Sequence, residues 1–233
     1  MNPIDKVRKL ASEFHPEIVS CRRHLHMYPE LSFKETETQK FVEQKLQEFG
    51  INNLQRMANT GIVAMIEGRN PTKKVVALRA DMDALPIQET NKTNYISKNA
   101  GVMHACGHDV HTSSLLGVAR ILHQMRDEFE GSVKLIFQPG EEKLPGGASM
   151  MIKEGVLKNP VPNSVIGQHV MPQIKAGKIG FRKGLYMAST DEIYVRVKGK
   201  GGHGAMPHLT IDPVMITAQM LVSLQQIVSR NAK

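Results

Sequence analysis

The sequence has no tryptophan, only 5% aromatic residues and two cysteines, and none of its 233 residues lies in an apolar run long enough to cross a bilayer. Each scarcity excludes something. Cys21 and Cys106 cannot build the multi-bridge framework of a small secreted domain, and unpaired thiols suit a reducing compartment. The start Met1-Asn2-Pro3-Ile4-Asp5-Lys6 is polar and lacks the apolar core of a signal peptide, so the expected location is cytoplasmic. The shortage of aromatics bears on the formal charge of +8, which by itself invites a nucleic-acid partner. Lys and Arg are spread along the whole chain, their longest local cluster being Lys198 and Lys200 with Arg196, and no aromatic ladder is interleaved with them. The expectation is no nucleic acid and no membrane, with a basic surface that favours small anionic molecules.

An apolar share of 41% at this length can bury a real core, enough for one large domain and a piece of another. Glu35 to Phe49 carries Phe41, Val42, Leu46 and Phe49 at helical spacing, with Gly50 as the stop. The β-rich runs Gly61–Ile66 and Val75–Ala80 follow, the second ending in Asp81-Met82-Asp83. His111–Met125 then reads as a helix and Ser132–Phe137 as a strand. This alternation predicts an α/β fold, a mainly parallel sheet with flanking helices, whose strand ends carry the polar site residues. Near Gly177–Gly184 the pattern changes. An alternating strand is expected over Met187–Lys198, then a glycine-rich turn around His203. A last helix follows, with Asp212 as N-cap and Pro213 at its first position. The expected division is a main domain over 1–184 and an incomplete second, α+β domain over 185–233.

Met103 to His111 holds three imidazoles, one thiol and one carboxylate in nine residues, a density best explained by a bound metal ion. Cys106 and His108 stand at i and i+2, which in an extended segment turns both to one face. Zinc suits that pair. Glu141 and Glu142 follow a Gln138-Pro139-Gly140 turn directly off an apolar strand, where one carboxylate can ligate a metal and the other move a proton. His169 stands just beyond another apolar run. Asp81 and Asp83, at a strand end, fit a solvated turn and a support for metal ligands equally well, and His111 has the placement of a residue that orients one. His24 and His26 are expected to be structural. Glycines beside His203 leave room for a ligand to approach, or for simple packing on Pro207.

The strings RRHLHMYPELSFKET, LRADMDALPI, MHACGHDVHT, FQPGEE with GGASMMIKEGVL, GQHV and KGKGGHGAMPH resemble, in order, the blocks of metal-dependent amidohydrolases of the metallopeptidase type. That family includes hippurate hydrolase, N-acyl-L-amino acid amidohydrolase (aminoacylase) and the indole-acetyl-amino acid hydrolases. The resemblance runs from about Cys21 to the end of the chain and implies a zinc-peptidase-like catalytic domain. It implies two divalent metal ions, zinc or manganese with cobalt or nickel compatible, held by Cys106, His108, Glu142 and His169. It implies Glu141 as general base in the hydrolysis of an N-acyl amino acid. His203 matches a histidine that reaches the neighbouring subunit's reacting centre from a smaller lid, so the second domain is expected to mediate a homodimer. Asp81 and Asp83 gain weight as supports.

One departure accompanies these matches. The family's sequences continue past the last helix, return to the catalytic domain and supply one more metal-binding histidine, whereas no histidine here follows His208. The expectation is a C-terminally truncated or split-gene member with the family's ligands and little or no activity by itself. Two rivals remain: a metal-binding or interaction remnant without turnover, and a dipeptidase or deacetylase using the same chemistry on another acyl group.

Overall fold

The computed structural model describes residues 2–187, 189 and 191–231, and divides into two units, Met1–Ala176 and Gly177–Lys233. The first unit contains the helices α1 (Pro3–Met27), α2 (Thr36–Glu48), α3 (His108–Gln124) and α4 (Gly147–Lys153). Its strands are β1 (Leu54–Met57), β2 (Gly61–Glu67), β3 (Val75–Asp81), β4 (Ser132–Gln138) and β5 (Ser164–Gly167). The strands form one sheet in the order β1-β2-β4-β3-β5. Pairing is antiparallel for β1/β2 and β2/β4 and parallel for β4/β3 and β3/β5, so only β2 runs against the others. The α/β alternation read from the sequence is therefore present. Its parallel half, β4-β3-β5, brings the carboxyl ends of three strands together on one edge, where sheets of this kind build sites.

Alternation within strands separates the two faces. Ile62, Ala64 and Ile66 of β2, with Leu135 and Phe137 of β4, join Val42 and Leu46 of α2 and Leu115 and Leu116 of α3 in the larger core. The opposite face carries Val63, Ala77 and Ile136 against Met151 of α4. Phe137, Leu46 and Leu116 are fully buried, each contributing roughly 1.5–3 kcal/mol of transfer free energy. α1 is anchored on α3 through Leu10, Phe14, Ile121 and Met125. Its start is well specified: Pro3 stands in the first turn, and Asn2 accepts the N–H of Asp5 at 2.9 Å. No helix among the described residues is long and apolar enough to cross a membrane.

In the second unit, Asp212 caps α5 (Pro213–Gln226) by accepting the N–H of Val214 at 2.8 Å, the arrangement its sequence predicts. The strand expected over Met187–Lys198 is corrected. None of its described residues is in a strand, and Ala188 and Thr190 lie outside the described residues. A period-two pattern needs a ladder to seat it. Among the described residues of this unit the β-pairing consists of a single bridge, Lys200 with Ile211, and Ile193 is 83% exposed.

Candidate metal centre

The site begins at Gly107. Its left-handed backbone, φ +90°, turns the chain from the Cys106 loop into α3, and a Cβ there would lie 2.4 Å from Val170. Glycine thus permits the segment after β5 to pass against the start of α3. The sequence argument had Cys106 and His108 converging through an extended segment. The structure corrects the route: His108 is the first residue of a helix, and the turn at Gly107 brings the pair together. One ligand atom each from Cys106, His108 and His169 lies within 4.8 Å of the others, and the same holds for His108, Glu141 and Glu142.

Hydrogen bonds define which nitrogen each imidazole presents. His108 Nδ1 meets Asp83 Oδ1 at 3.2 Å, and His169 Nδ1 meets the carbonyl of Val170 at 2.7 Å. Both partners only accept, so both Nδ1 atoms carry a proton, and in the neutral imidazole each Nε2 keeps a lone pair for a donor or a metal ion. His169 Nε2 stands 3.4 Å from Cys106 Sγ. His108 Nε2 is buried with no hydrogen-bond partner, 3.7 Å from Asp81, 3.8 Å from Glu142 and 4.0 Å from Glu141. A buried nitrogen with a free lone pair, facing carboxylates that cannot donate to it, fits a divalent cation.

The electrostatics agree. Burial pushes the Cys106 thiol up to about 12, assisted by Glu142 and Glu141. Burial, then Glu142 and Asp81, raises the Glu141 carboxyl. Burial and neighbouring carboxylates thus disfavour ionisation of Cys106 and Glu141, and a bound cation would invert that relation. The donor set therefore fits the two-metal centre that the family resemblance implies.

Asp81, Asp83 and His111 form the support beneath these groups. Burial opposes the charge on Asp81, but the His111 hydrogen bond at 2.6 Å and the Arg79 guanidinium, also at 2.6 Å, outweigh it and hold the carboxyl at about 2. Asp83 likewise stays below the ordinary range despite burial. It accepts from His108, from the Ser32 hydroxyl at 2.6 Å and from the N–H of Glu142 at 3.0 Å. His111 uses both nitrogens, donating from Nδ1 to Asp81 and accepting the N–H of Val170 at Nε2. It has no lone pair left for a metal.

His24 stacks on Phe41 at a ring separation of 4.2 Å. His26 lies in a buried network, its Nδ1 2.7 Å from Asp109 and its Nε2 3.1 Å from Glu89. Neither belongs to the metal cluster. His203, in the second unit, is exposed and accepts the N–H of Ala205 at 3.1 Å. Sequence reasoning missed Asp109 and Glu89, and it missed Glu35, whose carboxyl binds the turn before Glu141. The one available signal for Glu35 was its place in the SFKET block.

Comparison with known proteins gives a consistent picture. The model of "Peptidase family M20/M25/M40" matches residues 77–231. The N-acyl-L-amino acid amidohydrolase of Geobacillus stearothermophilus is 49% identical over 226 residues, covering 97% of this chain and 60% of that protein. The N-acetylcysteine deacetylase of Bacillus subtilis is 44% identical over 219 residues, covering 94% and 57%. Among solved structures, a dinuclear metal-binding M20 peptidase from Bacillus subtilis superposes with a TM-score of 0.70 at 44% identity, covering 74% of this chain and 48% of that one. The chain thus spans 60% or less of the length of these relatives.

Proposed function

The chain belongs to peptidase family M20/M25/M40, and on that premise we propose that it is a metal-dependent amidohydrolase that cleaves the amide bond of N-acyl amino acids, releasing a carboxylic acid and an amino acid. The observation that carries this is the free Nε2 of buried His108, set among Glu141 and Glu142 with Cys106 and His169 alongside. In this account Cys106, His108, Glu142 and His169 hold two divalent cations, and the thiolate favours zinc over manganese. Once bound, the cations would polarise the scissile carbonyl and lower the pKa of water.

The chain's own residues do the rest. Glu141 takes a proton from water as its oxygen adds to the carbonyl carbon, then delivers that proton to the amine nitrogen as the C–N bond breaks. Asp83 orients His108, and His111 holds the segment of His169. Residues 1–184 act as the catalytic part and 185–233 as part of a lid that joins two subunits, with His203 directed to the partner's reacting centre. Two unpaired thiols support a reducing, cytoplasmic setting.

A panel of N-acetyl and N-benzoyl amino acids, assayed with zinc or manganese and again with chelator, tests the proposal. Expected is chelator-sensitive hydrolysis that falls by about 10²–10⁴ in Glu141→Gln while metal stays bound. Bound metal with no turnover on any substrate would favour the non-catalytic alternative.

A further inference from the structure

Glu35 precedes α2, and its side chain is completely buried although it makes no capping bond to its own helix. Its carboxyl reaches elsewhere. Oε1 accepts the N–H of Gly140 at 2.7 Å and Oε2 accepts the hydroxyl of Thr60 at 2.5 Å. One carboxyl thereby ties the entry to α2, the turn before β2 and the turn after β4. Gly140 has φ +50°, and a Cβ on it would lie 2.3 Å from the ring of Phe33, two residues before Glu35. The same short loop therefore packs on this glycine and binds its N–H. Its carbonyl is also engaged, accepting the N–H of Gly147 at 2.8 Å.

On the far side of Glu141, the N–H of Glu142 is held by Asp83 at 3.0 Å. The two backbone N–H groups that bracket Glu141 are thus each fixed by a buried carboxyl, from segments distant in the chain. Burial raises the Glu35 carboxyl, against the bonds from Thr60 and Gly140. A carboxyl kept in such a place at that electrostatic cost needs a reason beyond starting a helix.

We propose that Glu35 is a positioning residue for the candidate centre: through the N–H of Gly140 it sets the turn so that Glu141 and Glu142 face His108, without itself touching substrate or metal. The roles of the two carboxylates rest on the function proposed above.

The test compares Glu35→Gln, Glu35→Ala and Thr60→Val with the unaltered chain. Three quantities are measured: amide hydrogen exchange of residues 140–142, zinc affinity by calorimetry, and kcat and KM on an N-acetyl amino acid at saturating zinc. Glutamine keeps the acceptor for Gly140, and its amide nitrogen can donate to the Thr60 hydroxyl, so it should stay within about twofold of the parent in all three. Glu35→Ala should speed exchange at 140–142, weaken zinc binding about 10–100-fold and lower kcat by a similar factor with KM nearly unchanged. Thr60→Val should move the same quantities in the same direction by less, and it carries the test if the alanine variant does not fold. Unchanged exchange and zinc affinity in a folded Glu35→Ala, or in Thr60→Val where only that variant folds, would overturn the inference. So would a Gln variant as impaired as Ala. Should the parent chain bind no zinc and hydrolyse nothing, the function proposed above fails, and exchange at 140–142 still decides the role of Glu35.

Discussion

His111 Nε2 accepts the N–H of Val170 at 2.9 Å, so an imidazole in the first turn of α3 holds the backbone beside His169. Its other nitrogen donates to Asp81. Replacement by phenylalanine removes both bonds and leaves a buried carboxylate short of a donor. His111→Phe should cost about 1–3 kcal/mol in denaturant unfolding and weaken zinc binding roughly 10–100-fold, read by competition with a chromogenic chelator. Unchanged affinity would mean that His169 needs no such support.

The pH dependence of stability should report His26. Its hydrogen bond to Asp109 is the largest influence raising its pKa; burial opposes, Glu89 adds to the rise, and Arg22 on the same helix opposes. Tyr95 meets the ring edge-on. A histidine raised on folding contributes stability that is fully present below its unfolded value of about 6.5 and is lost as pH climbs through the folded value. Urea midpoints should therefore fall as pH is raised above about 6.5, and His26→Asn should flatten that part of the profile. An identical slope in the variant would assign the dependence to another group.

On the α4 face of the sheet, Lys134 is buried and its ammonium donates to the carbonyls of Val156, Lys158 and Pro160 at 2.8, 2.9 and 2.8 Å. Methionine would fill the volume and leave three acceptors without their donor. Lys134→Met should lose about 3 kcal/mol or more in thermal or urea unfolding, with zinc affinity unaltered. A neutral result would show that water replaces the ammonium readily.

How far the sequence carries the structure depends on whether a feature is local. The continuous apolar run Ile62-Val63-Ala64 records burial on both faces of a strand and the helical stripe of Val42 and Leu46 burial on one face of a helix, and both elements formed where those patterns lie. The residues of the candidate cluster could be picked out in the sequence because Cys106 and His108 are close in the chain and Glu141–Glu142 follow a turn off β4. The long α1 was not, since Pro16 inside it reads as an interruption while its packing on α3 is tertiary. Nor were the contacts of His26 with Asp109 or of Glu35 with Gly140, which join segments 83 and 105 residues apart. The alternation of Ile193, Val195 and Val197 misled, because a strand pattern does not say whether a partner strand is at hand.

The most direct measurement is the absorption spectrum of the purified chain titrated with cobalt(II). A thiolate-to-cobalt charge-transfer band in the near ultraviolet should rise to a stoichiometric end point. It should vanish in Cys106→Ser and weaken sharply in His108→Ala and His169→Ala, since these three side chains converge in the fold. A chain that develops no such band, or one whose band survives the loss of Cys106, would contradict a metal centre at this place.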